Sequence, residues 1–180
     1  MALPSTIYKA SLELSDVDRG VYETMQETVA RHPSETEERL VARLLAYAIF
    51  YEPDLAFTKG ICATDEPDLW LKAADGRVRL WVEVGVPEAD RIIKAGRHAE
   101  RVALLACGRT LAAWDQQQLP RLEKVANLTV ISVDQSLISK LVSQLKRSVT
   151  WSITITEGTL YLTIAGETME SAIQVKSGSR

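Results

Sequence analysis

The chain of 180 residues is 46% apolar and 25% charged, the ordinary composition of a globular domain that can bury a core. We therefore expect a single domain over residues 1–180. The net charge of −3 argues against a protein that holds nucleic acid through a bulk positive field, but it leaves room for a local basic site.

The cysteines and the hydropathy pattern predict a cytoplasmic protein. Cys62 and Cys107 match neither a zinc-site spacing nor a disulfide framework, which predicts reduced thiols and a cytoplasmic protein. No apolar run approaches the ~20 residues of a membrane span, and the opening sequence lacks the features of an export signal. We therefore predict no membrane partner. Neither GxGxxG nor GxxxxGK[ST] occurs, so we also predict that the protein uses no nucleoside triphosphate.

The N-terminal region predicts a β-hairpin followed by a helix. Apolar and polar residues alternate over residues 5–15, turn-forming DVDRG follows, and VYETMQETVA completes the hairpin. Ser34 and Glu37 form an S-x-x-E capping box, so the helix is predicted to start at Ser34. The apolar stripe of this helix comprises Leu40, Val41, Leu44, Leu45 and Ala48.

The middle of the chain alternates predicted strands and helices. DLWLKA (68–73) and RLWVEVG (79–85) form a hairpin around the turn ADGR, and a helix runs from Pro87 to about His98. RVALLAC (101–107) and LTVISV (128–133) are apolar runs typical of strands buried on both faces. TLAAWDQQQ, between these two strands, is predicted to be a short helix.

The C-terminal region predicts a helix, a hairpin and a tail. DQSLISKLVSQLKR has helical apolar spacing, and TWSITITEGTLYLTIAG alternates on both sides of the turn Glu157-Gly158. MESAIQVKSGSR is interpreted as a loose tail. The whole pattern predicts an α/β (α+β) fold: a mixed sheet core flanked by helices, with β-hairpins at both ends.

Three carboxylates stand out against this pattern. Glu38 lies on the first helix, Asp68 opens a strand and Glu83 lies within the next strand. Strand alternation places Val82 and Val84 on the face opposite Glu83, so the carboxylate can face a cleft. Mg²⁺ and similar hard cations choose carboxylate oxygens, and two acids on adjacent strands are sufficient protein ligands.

A purely structural interpretation of these acids stays open. Under it, Glu38 is a solvated helix acid, Asp68 is a turn residue after a proline, and Glu83 pairs with Arg77 or Arg79.

A basic stripe follows the acids along the chain. Arg91, Lys94, His98 and Arg101 recur at three- and four-residue spacing, so the helix after Glu83 carries several cations. A Lys or Arg near the acids would stabilise charge that develops on a phosphate.

Other reactive residue types are interpreted as structural. His32 precedes Pro33 beside a helix start, His98 lies near a helix end, and Cys107 ends an apolar strand as a small buried hydrophobe. Tryptophans can stack bases but more often fill a core or an interface; they are Trp70, Trp81, Trp114 and Trp151.

The segments RHPSETEERLVARLLAYA, CATDEPDLW and LWVEVGVPEADRIIKA resemble the YaeQ family of bacterial proteins. The order of predicted elements extends the likeness over nearly the whole chain. This resemblance implies a variant of the restriction-endonuclease-like, PD-(D/E)XK fold, in which a helix acid, an Asp and a strand acid surround a metal ion.

Carried over residue by residue, the resemblance makes Glu38 the helix acid, Pro67-Asp68 the PD element and Glu83 the acid of the (D/E)XK element. The sequence departs from the motif at Gly85, where the family pattern of nucleases has lysine. Lys94 on the next helix is then the expected source of the amine, with Arg91 as a substitute.

These observations support two hypotheses. The first is a Mg²⁺-dependent (or Mn²⁺-dependent) phosphodiesterase or nuclease acting on nucleic acid: Asp68 and Glu83 bind the metal, Glu38 assists, Lys94 orients water or the transition state, and Arg91 contacts phosphate. The second is a noncatalytic protein that binds nucleic acid or another protein. The first is the leading hypothesis, and Gly85 in place of lysine together with the net negative charge is the support for the second.

Overall fold

The computed structural model describes residues 4–59 and 65–180, which form two β-sheets and several helices. In chain order the strands are β1 (Thr6–Asp16), β2 (Val21–Arg31), β3 (Ala56–Phe57), β4 (Leu69–Lys72), β5 (Val78–Gly85), β6 (Ala99–Ala106), β7 (Leu128–Ser132), β8 (Ser148–Thr156), β9 (Thr159–Ile164), β10 (Glu167–Ala172) and β11 (Gln174–Ser177). The helices are α1 (Glu37–Ile49), α2 (Ala89–His98), α3 (Leu111–Gln117) and α4 (Gln135–Ser143), with a 3-10 helix at Leu119–Leu122. None of the helices in these ranges is long and apolar enough to cross a membrane.

The first sheet joins the two ends of the chain. Its strand order is β10-β9-β8-β1-β2, and β1 is antiparallel to β2 but parallel to β8. Alternate residues of β1 and β8 are buried, as the period of two requires for a sheet with one covered face. The predicted N-terminal and C-terminal hairpins are therefore both confirmed, and they share one sheet.

The second sheet has the order β11-β7-β6-β5-β4-β3. Strands β5, β6 and β7 are parallel, because α2 connects β5 to β6 and α3 lies between β6 and β7. The β4–β5 hairpin is antiparallel, with Trp70 opposite Trp81. The fold is thus mixed α+β, as the sequence predicted.

Two hydrophobic cores cover the two faces of the second sheet. The larger core joins both sheets around α1, whose residues from Leu40 to Ile49 are all buried. The smaller core lies on the other face, beneath α2, α3 and the 3-10 helix. Strand β5 separates them: Val82 and Val84 belong to the larger core and Trp81 packs against the smaller one.

The start of α1 corrects the predicted capping box. The helix begins at Glu37, and its N-cap is Thr36, whose hydroxyl accepts a hydrogen bond from the Arg39 amide at 3.2 Å. Ser34 instead hydrogen-bonds His32, at 2.6 Å between Oγ and Nδ1. A turn at His32, closed by the Glu35 amide, holds Ser34 outside the helix, so Thr36 is the first residue able to cap it.

Two further predictions were wrong at element ends. Pro87 lies before α2, not in its first turn, since the N-cap is Glu88. The C-terminal segment is not a loose tail: β10 pairs with β9, and β11 pairs with β7 at the edge of the second sheet. Each of these strands pairs with the edge of a sheet, and local sequence patterns do not show which edges are open for pairing.

Candidate functional site

The site lies where α1 meets the ends of the β4–β5 hairpin. Alternation along β5 puts Val82 and Val84 in the larger core, as predicted, and Trp81 on the opposite side. Glu83 accepts a hydrogen bond from the Trp81 indole N–H at 2.8 Å. The fold therefore brings Glu83 and Asp68 to one corner of the sheet, although neither carboxylate is in open solvent.

Asp68 is buried, with 1% of its surface exposed. One oxygen, Oδ1, accepts from Arg39 Nη2 and lies 4.0 Å from Arg43 Nε. The other, Oδ2, accepts from the Val84 amide at 2.9 Å. Asp68 is thus a buried carboxylate that is hydrogen-bonded by Arg39 and the backbone, with the Arg43 guanidinium nearby.

A second buried acid extends this cluster. Arg43, only 2% exposed in its side chain, donates to both oxygens of Glu35 at 3.1 and 3.2 Å. Arg39 Nε lies 3.9 Å from the same carboxylate. Glu35, Arg39, Arg43 and Asp68 therefore form one continuous network of buried charge.

Our sequence analysis missed Glu35, Arg39 and Arg43. Their spacing of four residues puts them on one side of the chain entering α1, and Arg43 stands in the middle of an apolar stripe. A charged residue at a core position needs a buried partner, so this position was the available signal.

Glu83 is the third buried acid of the corner. Its Oε1 accepts hydrogen bonds from the Trp81 indole and from Arg91 Nε of α2, the latter at 2.8 Å. Burial raises the pKa of Glu83, the charge of Asp68 raises it further, and Arg91 opposes both effects. Asp68 and Glu83 are therefore close enough to repel each other.

Glu38, the predicted helix acid, has contacts different from those of this pair. Its side chain lines a pocket of about 250 Å³, together with Arg39, Gly85 and Cys107, and it is 3.8 Å from Arg109. Within the described ranges no cluster of three or more acidic, histidine or cysteine side chains is arranged to hold a metal ion. The structure thus joins Asp68 to Glu83 and leaves Glu38 at the pocket wall.

The backbone explains the absence of lysine at position 85. Gly85 has φ +101°, a conformation that is strained for any residue with a side chain. A Cβ at Gly85 would lie 3.7 Å from Arg39 Nη1, which also donates to the Val84 carbonyl at 3.1 Å. Arg39 therefore supplies the cation beside Asp68.

The cations predicted on α2 have different surroundings. Arg91 pairs with Glu83 and donates to the Glu66 carbonyl at 2.8 Å. Lys94 is exposed, and in the described part of the chain no hydrogen bond or ion pair is found for it. Lys94 is free to meet a ligand, whereas Arg91 already neutralises an acid.

The charges of the corner balance without a metal ion. Its three acids, Glu35, Asp68 and Glu83, face three arginines, which are Arg39, Arg43 and Arg91. Mg²⁺ or Mn²⁺ between Asp68 and Glu83 would add positive charge, and the arginines would have to turn away to free the carboxylate oxygens. In this arrangement the corner does not fit a divalent cation. The role of Asp68 and Glu83 as metal ligands stays a prediction from the sequence.

The remaining candidates differ in their surroundings. His32 is bonded to Ser34, His98 is exposed at the end of α2, and burial raises the pKa of Cys107 to about 11. A protonated, buried thiol is a poor nucleophile, as expected for Cys107. Cys62 lies outside the described residues.

The four tryptophans divide into two classes. Trp114 and Trp151 are buried, and the Trp114 indole donates to the Pro87 carbonyl at 2.6 Å. Trp70 and Trp81 are only half-buried. The core interpretation is confirmed for the first pair, whereas Trp70 and Trp81 keep part of their surfaces exposed, although Trp81 also packs against the smaller core.

Comparison with known proteins identifies relatives over almost the whole chain. The YaeQ protein family model matches residues 1–173. Proteins named "Uncharacterized protein YaeQ" from Escherichia coli (strain K12) and Salmonella typhi are 40% and 39% identical, over 90% and 94% of both chains.

Two crystal structures share the fold. The YaeQ protein of Pseudomonas syringae is 43% identical, with TM-score 0.93 and 99% of each chain covered. The YaeQ protein of Xanthomonas axonopodis pv. citri is 31% identical, with TM-score 0.92 and coverage of 97% of this chain and 99% of that chain.

Proposed function

The chain belongs to the YaeQ family, and from this premise we propose that it is a noncatalytic nucleic-acid-binding protein. The observation that carries the proposal is the pairing of both candidate metal ligands with arginines, Asp68 with Arg39 and Glu83 with Arg91. A buried carboxylate held in this way acts as the counter-ion of its arginine. The acids then serve the fold, and binding falls to other surfaces.

A surface with several exposed cations is formed by α2 and by the segment that includes and follows the 3-10 helix, where Glu123 is an exposed acid. Lys94, Arg97 and Lys124 are exposed there, while Arg121 is paired with Asp90 at 2.7 Å. A pocket of about 440 Å³ is lined by Arg97, Arg121 and Lys124. Clustered lysine and arginine side chains attract the phosphate backbone of nucleic acid, even when the net charge of the protein is negative.

A gel-shift experiment tests the proposal. Labelled DNA and RNA are incubated with the protein in Mg²⁺ and in Mn²⁺, and both mobility and length are measured. The expected result is a shift without shortening; metal-dependent shortening, or the absence of any shift, would contradict it.

Variants locate the binding surface in the same experiment. Alanine at Lys94, Arg97 and Lys124 together is expected to weaken binding at least tenfold, since each phosphate contact also contributes to the salt dependence of the affinity. The matched control removes the same charge from exposed lysines elsewhere, at Lys9, Lys140 and Lys146. Equal losses in both triple variants would show that only net charge matters.

A second candidate function is supported by the repulsion between the two buried acids. The charge of Asp68 raises the pKa of Glu83, and a divalent cation between two carboxylates that repel each other would relieve that repulsion. In this candidate, a Mg²⁺-dependent or Mn²⁺-dependent phosphodiesterase, Asp68 and Glu83 would hold the metal once their arginine partners turn away, and the metal would polarise a phosphate and activate water. Glu38 would assist, Lys94 would orient water or the transition state, and Arg91 would contact phosphate. Metal-dependent cleavage that disappears in Glu83→Gln and persists in Glu123→Gln would support it.

A further inference from the structure

One row of side chains crosses the outer face of the second sheet from solvent to core. Ala56 on β3 is exposed, Trp70 on β4 and Trp81 on β5 are half-buried, and Val102 on β6 is buried in the smaller core. Helix α2 packs mainly on β6. The two tryptophans therefore lie side by side at the rim that the helix leaves uncovered.

The Trp70 ring is partly exposed among the described residues. Its cross-strand neighbour on one side is the small Ala56, and the Lys72 ammonium lies 3.4 Å from the ring centroid. The side chain over the ring is therefore an exposed cation and not a buried apolar group. A planar ligand can take this place, and the displaced ammonium then stays within reach of a ligand phosphate.

Exposed lysines lie on β4, which carries Trp70, and on α2, which contacts Glu83 beside Trp81. Lys72 is exposed on β4, and Lys94 is exposed on α2 one turn after Arg91, whose guanidinium reaches Glu83 next to Trp81. Arg91 keeps Glu83 neutralised, so that acid does not repel a polyanion.

We infer that this rim binds single-stranded nucleic acid, with bases stacked on Trp70 and Trp81 and phosphates held by Lys72 and Lys94. The inference rests on the proposed nucleic-acid binding and names its substrate class. Aromatic side chains accept any unpaired base, because every base has a π-face. A duplex keeps its bases stacked on one another and offers the rim only their edges.

The test compares single-stranded (dT)12 with a duplex of equal length, by fluorescence anisotropy of a labelled strand. Wild-type protein is expected to bind (dT)12 more tightly and to show quenched tryptophan emission when bound. In Trp70→Leu the affinity for (dT)12 falls about fivefold or more, whereas Trp70→Phe keeps most of it. Tyr22→Leu, at an exposed aromatic position on the first sheet, is the control and changes nothing.

The phosphate contacts have their own readout. Lys94→Ala reduces the slope of log affinity against log salt by about 0.7, the value for one contact on a single strand, whereas Lys9→Ala leaves the slope unchanged. Circular dichroism checks that each variant is folded.

The possible failures are distinct. Tight duplex binding without (dT)12 binding overturns this inference and leaves the proposed function in place. Binding of neither nucleic acid overturns both. Binding of (dT)12 that Trp70→Leu and Lys94→Ala do not weaken overturns the assignment of this rim.

Discussion

Arg43 is the residue on which the buried charge network depends. It neutralises Glu35 directly and lies beside Asp68, and both carboxylates are almost fully buried. Arg43→Met is expected to lower the free energy of unfolding by about 3–5 kcal/mol, because it leaves buried carboxylates without compensation. Urea unfolding measures this loss.

The double variant Arg43→Met/Glu35→Leu provides the control, and it should recover part of the loss since one uncompensated acid is gone. Arg77→Ala, which breaks two exposed ion pairs, should change stability little. A small effect of Arg43→Met would show that the network is not a structural unit.

Glu83 makes stability depend on pH in a defined direction. Its pKa is raised by burial and by the charge of Asp68, so the folded protein binds the Glu83 proton more tightly than the unfolded chain does. The stability contributed by the protonated form is present below the ordinary Glu pKa of about 4.3 and is lost as the pH rises through the raised value. Compared with Glu83→Gln, the wild-type protein should therefore lose stability over that window in urea titrations. A difference that is constant with pH would contradict the raised pKa.

At the scale of elements, Thr36 determines where α1 begins. Its hydroxyl caps the Arg39 amide, so Thr36→Ala should lower the free energy of unfolding by about 1 kcal/mol. Ser34→Ala, at the position that the sequence favoured as the cap, should have a smaller effect because Ser34 bonds only His32 and its own turn. The reverse order in urea unfolding would support a helix start at Ser34.

Local periodicity predicted most of these elements. The β1–β2, β4–β5 and β8–β9 hairpins and all four described helices follow from spacing and turn residues. The two strands after Gly166 did not, because β10 and β11 are stabilised by partners distant in sequence. The convergence of Asp68 and Glu83 was predictable from strand order, whereas their arginine partners depend on where α1 packs, which spacing alone does not provide.

At the scale of the molecule, the C-terminal segment connects the two sheets. Strand β11 pairs with β7 in the second sheet, while the Arg180 guanidinium bonds Asp16, at the end of β1 in the first sheet. Asp16 is fully buried and has Arg19 as its other cation.

Arg180→Ala should therefore lower the free energy of unfolding by about 1–3 kcal/mol, as for a buried acceptor that loses a partner. Arg147→Ala, at an exposed arginine, is the comparison. Equal effects of the two changes would mean that the contact between the sheets is not stabilising.

The central claim is that Asp68 and Glu83 are counter-ions of arginines and not metal ligands. Calorimetric titration of Mn²⁺ into wild-type protein, Asp68→Asn and Glu83→Gln, each checked by circular dichroism, tests it most directly. We expect no binding to the wild-type protein at millimolar Mn²⁺. Saturable binding to the wild type that is lost in both folded variants would contradict the claim and would favour the metal-dependent phosphodiesterase.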